Sequence, residues 1–236
     1  MMKWNRILGL LSPFALIFQG CHETYTGEGP VVVMDRKTGE IHKVAVNMSA
    51  DVIITDTTVS FCKVHAQENV QEAITTGMDG GVLYISSKGT LITSEPVVVE
   101  VGMVRPEGVE VNGSATVKAA NTLKNEKLSF EVNGSGSLQA DVVSLKTRAY
   151  VSGSGMLMLS GSTRELMADI SGSGEIKAFS LSTLEAKTDI SGSGKAELLV
   201  AESLKAQVGG SGEVHYKGNP KVEQRVTGSG SVTRAE

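Results

Sequence analysis

Asp169 and Asp189 are the two side chains of this sequence whose type and spacing most directly suggest chemistry. Each stands three residues before the first Gly of a Gly-Ser-Gly turn, in successive copies of a repeat. If the copies stack as parallel β-strands, the two carboxylates form an outward acidic ladder about 5 Å apart. Lys187 and Lys177 are then candidate basic neighbours. Such a cluster could act on a polysaccharide, but we favour a solvated face of alternating charge.

The other reactive side chains form no catalytic or metal-binding pattern. The Gly-Ser-Gly turn differs from the Gly-x-Ser-x-Gly turn that presents a hydrolase nucleophile, and no His recurs near it. The four His are scattered, without the paired spacing of a zinc site. Val214 replaces the Asp that a calcium-binding nonapeptide needs. We therefore expect no catalytic residue, no metal site and no cofactor, and we expect the lone Cys62 to be buried.

The first 21 residues predict export and lipidation. A positively charged start precedes an apolar stretch over 7–18, which is too short to span a bilayer stably. It ends in Phe18-Gln19-Gly20-Cys21, which resembles a bacterial lipobox. The resemblance implies a lipoprotein signal peptide over 1–20, cleavage before Cys21 and acylation of Cys21, for example by palmitate. His22 in place of Asp favours the outer membrane, and residues 21–37 would comprise the lipidated Cys and a tether.

Composition excludes several classes of protein. The 236 residues carry 22 Lys and Arg against 26 Asp and Glu, a net charge of −4. This acidic balance, without a basic run, argues against a nucleic-acid partner. Only 4% of the residues are aromatic, which argues against a bulky globular core, and two Cys cannot form a disulfide framework.

A repeat dominates the second half of the chain. The first Gly of its seven turns is Gly113, Gly134, Gly153, Gly172, Gly192, Gly210 and Gly228. Apolar residues recur two and four positions before this Gly and four and six positions after it, which is the period of a β-strand. One unit cannot bury its apolar side alone, whereas stacked copies can. The repeat therefore predicts a β-solenoid over 109–236.

Each coil is expected to contain two strands joined by the Gly-Ser-Gly turn, followed by a second turn such as residues 180–183. The Gly column should supply positive φ angles or close backbone approach, and the Ser column should hydrogen-bond the backbone at the corner. Residues 38–108 predict a less regular N-terminal β region of the same domain. Strands are expected there near 41–47, 52–55, 58–66, 82–86 and 97–101, with a short helix over 68–74.

The order of these segments resembles the head GIN domain of putative auto-transporter adhesins, which is common in lipoproteins of Bacteroides-like bacteria. The resemblance rests on Asp51-Val52-Ile53-Ile54, on residues 69–74 and 79–85, and on the repeated Gly-Ser-Gly turns. It covers roughly residues 38–234. It implies an all-β fold, a right-handed parallel β-helix of about seven coils related in shape to pectin lyases. It also implies an adhesive role without recognised catalytic residues.

These observations predict a lipid-anchored β-solenoid of the outer membrane that binds or adheres and is not an enzyme. The expected partners are the membrane, through the lipid anchor, and a glycan or a host or cell-surface protein; the oligomeric state stays open. Two alternatives also stay open. One is a polysaccharide-active enzyme that uses Asp169 and Asp189 on a pectin-lyase-like scaffold. The other is a structural or signalling component of the envelope that recruits a partner or associates with itself.

Overall fold

The computed structural model describes residues 23–236, so the predicted signal peptide over 1–20 and Cys21 lie outside the described residues. The N-terminal region contains β1 Thr24–Thr26, β2 Val31–Asp35, β3 Lys43–Asn47, β4 Asp51–Asp56, β5 Phe61–Gln67, β6 Ile74–Asp79, β7 Val82–Ser87, β8 Thr90–Ile92 and β9 Val98–Met103. The expected helix over 68–74 shrinks to a 3-10 turn at Glu68–Val70. The expected strands are present, with ends that differ by at most three residues.

The repeats supply the remaining strands. They are β10 Gly108–Gly113, β11 Thr116–Ala119, β12 Leu123–Lys124, β13 Lys127–Gly134, β14 Ser137–Gly153, β15 Met156–Gly172, β16 Glu175–Gly192, β17 Lys195–Gly210, β18 Glu213–Lys217, β19 Lys221–Gly228 and β20 Ser231–Arg234. β1 and β8 form a small sheet of their own, and the other eighteen strands form one continuous sheet.

Successive repeats stack as parallel strands in register. The first Gly of each turn aligns with the first Gly of the next, as Gly153 does with Gly134 and Gly172. The β-branched residue two positions before it is buried in six of the seven coils, at no more than 2% exposed: Val111, Val132, Val151, Ile170, Ile190 and Val208. The prediction of a parallel β-solenoid of about seven coils is confirmed.

The predicted second turn at residues 180–183 is wrong. β16 runs without a break from Glu175 to Gly192 and bends through a bulged corner, where its register with β17 shifts between Ala178 and Ser182. Leu181 and Thr183 are buried at that corner, at 0% and 1% exposed. A bulge lets a strand change direction while it stays paired with a neighbouring strand, so this coil needs no Gly-rich turn at that corner.

The two Gly that six of the seven turns contain are required for different reasons. The first has φ between 107° and 129° in all seven coils, as predicted, and a side chain there would be strained. The second lies directly over the β-branched residue of the preceding coil. A Cβ on Gly174 would overlap Val151 Cγ1 and would lie 2.7 Å from the carbonyl oxygen of Gly155. At Gly174 the coils keep strand spacing because that side chain is absent, whereas the first of the seven turns accommodates Ala115 at this position.

The parallel stack extends beyond the seven coils that the Gly positions indicate, first through β3 and β4 and then through β7 and β9, which pair with them in parallel. β10 pairs in parallel with β3, which aligns Val111 with Val46, and β11 pairs with β4. Met48-Ser49-Ala50 thus occupies the turn position without any Gly. Its likeness to Ser114-Ala115 in the next coil is the signal in the sequence that could have revealed it.

The two ends of the stack are closed differently. At the N-terminal end, β6 and β5 add antiparallel strands to β7 and β9, and β2 pairs antiparallel with β5. At the C-terminal end, β19 and β20 pair on one side only. There the apolar columns change to exposed Gln224 and Arg234. Polar groups in core columns oppose the addition of another coil, a known protection for open strand edges.

We expect Gly174→Ala to destabilise the protein by about 1–3 kcal/mol, the usual cost of overpacking a tight core. The added methyl group must displace the Val151 side chain or separate two coils. The thermal unfolding midpoint should fall by about 2–4 °C per kcal/mol in a chain of this size. Gly209→Ala is the matched control, because its Cβ would meet only the Ile190 carbonyl oxygen, at 3.7 Å. Equal midpoints for the two variants would contradict this account of the turn.

Candidate binding groove

Stacking converts the outward side chains of each coil into straight rows. On the strand segment that precedes the Gly-Ser-Gly turn, outward residues lie three, five and seven positions before the first Gly. Two residues along one strand are about 6.6 Å apart, so adjacent rows leave a channel between them. The channel runs across the strands, along the axis of the stack.

A groove of about 1120 Å³ occupies this channel, between the rows five and seven positions before the first Gly. We call the row at seven the outer wall: Lys127, Lys146, Glu165, Glu185, Ser203 and Lys221. We call the row at five the inner wall: Ser129, Arg148, Met167, Lys187, Lys205 and Glu223. The groove thus crosses six coils in a straight line.

The floor of the groove is the column between the two walls. It consists mainly of small or apolar residues that are at most 6% exposed: Leu128, Thr147, Leu166, Ala186 and Leu204. Their strands pair with a neighbouring coil on both sides. The backbone N–H and C=O groups of the floor are therefore committed to the sheet, and only side chains face a ligand.

Charges of both signs line the groove, in a protein whose net charge is −4. The two walls carry six cationic and three acidic residues, and Glu107 and Glu126 bring the acidic residues of the whole lining to five. Lys146 pairs with Glu165 at 2.8 Å, and Lys205 pairs with Glu223 at 3.2 Å. Within residues 23–236, the other four cations of the walls make no salt bridge: Lys127, Arg148, Lys187 and Lys221. These four are available to a ligand.

Asp169 and Asp189 are brought together beside the groove. They align in the register of β15 and β16, in the row next to the inner wall. Burial raises the pKa of the half-buried Asp169, and the Asp189 carboxylate adds to the rise. A backbone hydrogen bond from Asp189 and the charges of Arg148 and Lys187 act in the opposite direction. Neither Asp lines the groove, and the role of this acidic pair in binding stays a prediction.

Lys187 lies near Asp169 as expected, whereas the expectation for Lys177 is wrong. Lys177 belongs to the strand segment after the Gly-Ser-Gly turn, which forms the opposite sheet face, and it pairs with Glu175 at 3.1 Å. Acidic and basic residues alternate on that face over three coils: Glu175, Lys177, Lys195, Glu197, Glu213 and His215. A hydrogen bond to the Glu197 carboxylate raises the pKa of Lys195. The charged groups of this face satisfy one another.

The Ser column does not hydrogen-bond the corner as predicted. Among the described residues, no hydroxyl of the seven turn Ser has a hydrogen-bond partner. Backbone hydrogen bonds connect successive turns instead, as when Ser154 N donates to the Gly134 carbonyl at 2.9 Å. All seven side chains are exposed. The carbonyl of the preceding coil lies within hydrogen-bond distance of the Ser backbone N–H, whereas the Ser hydroxyl faces outward.

The other candidate reactive groups have structural surroundings. Cys62 is 1% exposed, as expected, and burial raises its pKa to about 11. Three His lie near carboxylates, at 3.6 Å for His42, 3.2 Å for His65 and 3.0 Å for His215. Residues 23–236 contain no grouping of three His, Cys, Asp or Glu that could hold a metal ion. In the same residues, no helix is long and apolar enough to cross a membrane.

Comparison with known proteins identifies relatives by sequence and by fold. Residues 41–220 match the family described as "Putative auto-transporter adhesin, head GIN domain". A "putative adhesin" from Bacteroides fragilis NCTC 9343 superposes with a TM-score of 0.82 at 19% identity, covering 89% of this chain and 100% of that one. A "putative lipid binding protein" from Parabacteroides distasonis ATCC 8503 gives 0.78 at 23% identity, covering 91% and 100%. No curated protein sequence matches the chain.

The pKa of Asp169 predicts a specific pH dependence of stability. Because the folded pKa is raised, ionisation of Asp169 disfavours the folded state, and this cost disappears as the pH falls below the ordinary Asp range. Asp169→Asn should therefore raise the unfolding midpoint at pH 7, with a gain that vanishes in acid. Asp79→Asn, at an exposed hairpin end, is the control and should change little at either pH. A gain that grew toward low pH would refute the assignment.

Proposed function

Because the chain belongs to the family of "putative auto-transporter adhesin, head GIN domain" proteins, we propose that it is a lipid-anchored module of the outer membrane that binds an elongated ligand. The ligand is held without being chemically changed. The observation that carries this proposal is the groove, which runs in a straight line over six coils.

The groove has the properties that a binding surface for an elongated ligand needs. Its wall residues project from strands that are paired on both sides, so their positions are set before a ligand arrives. A preorganised surface loses little conformational freedom on binding, which favours affinity. Because the same contacts recur from coil to coil, a long ligand gains from many small interactions along one rigid line.

Lipid contact is assigned to the anchor and not to the groove. Cys21 precedes β1 by only three residues, and acyl chains on that residue would hold the module at the membrane. An acyl chain in the groove would remove six cationic and five acidic side chains from water, and desolvating unpaired charges is costly.

Asp169 and Asp189 are treated as part of the binding surface and not as a catalytic pair. They flank the groove instead of lining it. A ligand that fills the groove would meet Arg148, Met167 and Lys187 before it reached either carboxylate. In this position the two carboxylates are better placed to contact the side of a bound ligand than to react with the bonds that link its units.

Replacement of Cys21 should release the protein from the membrane. In cells fed a labelled palmitate, the natural chain should carry the label and Cys21→Ser should not, with the variant shifting to the soluble fraction. Cys62→Ala is the matched control, because Cys62 is buried, and it should keep both the label and the membrane association. A Cys21→Ser chain that stays labelled would overturn the lipid anchor.

An adhesive role requires that the solenoid face the outside of the cell. Protease added to intact cells should remove the protein, while a periplasmic marker in the same cells remains intact. If the protein is degraded only after the outer membrane is opened, adhesion to external ligands is refuted. The groove would then serve a ligand inside the envelope.

A further inference from the structure

We infer that the groove takes a linear polysaccharide of low net charge, whose sugar rings lie along the axis of the stack. This inference rests on the proposed function and names the ligand class of the same site. Four observations lead to it: the width of the groove, the state of its floor, the balance of its charges and the exposed Met167 at its centre.

The dimensions of the groove admit one extended chain. The Cα atoms of its two wall rows are about 6.6 Å apart, so a ligand lies along the outer parts of the wall side chains, above the floor. An α-helix with its side chains is about 10–12 Å across and would extend beyond both rows. Six coils at a strand spacing of about 4.8 Å give a length of about 24 Å. The fitting ligand is long, narrow and one unit wide.

The floor favours a polyhydroxylated chain over an extended peptide. A bound peptide strand must pair its own N–H and C=O groups, and proteins usually supply these partners at an open sheet edge. Here the groove lies on a sheet face, where the backbone is already paired on both sides. Side chains alone can contact the ligand. Sugar hydroxyls both donate and accept, so carboxylate, ammonium and guanidinium groups can satisfy them.

The charges that line the groove disfavour a strongly charged polymer of either sign. A polyanion would meet five carboxylates and a polycation would meet six cationic groups, and like charges brought together weaken binding. A ligand of low charge experiences neither repulsion. On the inner wall, the unpaired cations Arg148 and Lys187 can donate hydrogen bonds to its ring and hydroxyl oxygens.

Met167 provides an apolar contact in the middle of the inner wall. It is 42% exposed and aligns with Arg148 on one side and Lys187 on the other. An exposed Met at this position is unusual for a row that is otherwise polar or charged. The C–H face of a sugar ring can lie against the Met side chain while the ring's hydroxyls reach the charged groups on either side. Tyr150 lies in the next row, with the Arg148 guanidinium 5.9 Å from its ring.

Calorimetric titration of the detergent-purified full chain tests the inference. The probes are neutral cello-, xylo-, manno- and malto-oligosaccharides of increasing length, compared with polygalacturonate, polylysine and a library of unstructured peptides. At least one neutral series should bind, with an affinity that rises with length until the chain spans the six coils. Met167→Glu should weaken it about tenfold, equivalent to about 1.4 kcal/mol. Met158→Glu is the matched control, since Met158 lies on the same strand but on the opposite face, and it should leave the affinity unchanged.

The outcomes separate the ligand class from the proposed function. If a peptide or a charged polymer binds and Met167→Glu abolishes that binding, the groove is a binding site but the polysaccharide inference is wrong. If none of the probes binds, or if Met167→Glu and Met158→Glu have equal effects, the groove is not the binding site and the proposed function fails with it. Circular dichroism of both variants confirms that each is folded.

Discussion

The close stacking of one turn on the next, without side chains between them, is the constraint on which the whole structure depends. Each first Gly adopts a positive φ, and each second Gly leaves room for the β-branched residue of the coil below. If that contact opened, the parallel hydrogen bonds of both flanking strands would lengthen, because the strands share the turn. The narrow core follows from the same constraint. Small and β-branched residues fill it, and among the aromatic residues of 23–236 only Phe130 is one of the largest fully buried side chains.

The register that buries the core also builds the surface. Aligning Leu166 with Ala186 in the interior necessarily aligns Met167 with Lys187 outside. Rows of outward side chains are therefore a by-product of stacking, and the channel between two rows exists wherever the sheet is flat. The two faces differ in how their charged side chains are paired. On one face, acidic and basic side chains alternate and pair with each other, whereas on the other four wall cations make no salt bridge among the described residues.

Much of the fold could be predicted because its strongest signals repeat. Seven Gly positions and four apolar columns fix the strands, the direction of stacking and the register, and the alignment of Asp169 with Asp189 follows from them. The second corner could not be predicted in the same way. Residues 179–181 lose their partners on β17 at the bulge, but residues 180–183 stay paired with β15. Polar residues such as Ser180 and Ser182 therefore do not mark a break in the strand. The eighth coil was hidden because Met48 stands where the other coils have Gly.

The groove was harder to predict than the fold, because the residues of one wall share a position in the repeat but not a residue type. Lys146, Glu165 and Ser203 belong to one wall, yet no motif search would group them. The prediction that Lys177 lies near Asp169 and Asp189 was wrong for a related reason. Lys177 lies after the turn and Lys187 lies before the next one, so the chain's reversal places them on opposite faces. The offset of each outward residue from the first Gly, which the sequence contains, determines both the members of a wall and the face on which Lys177 lies.

This separation of core from surface bears on how such a scaffold acquires a ligand. In each coil an inward residue constrained by its neighbours alternates with an outward residue that is free to vary. Leu166 is 2% exposed and packs in the core, while Met167, the next residue, is 42% exposed. Exchanging Met167 changes the surface of the groove and touches no core contact, whereas exchanging Leu166 leaves a cavity that costs several kcal/mol, typically about 2–5 for Leu to Ala. Coils of one backbone can thus present different wall side chains, and the fold itself is shared with chains that are only 19% to 23% identical to this one.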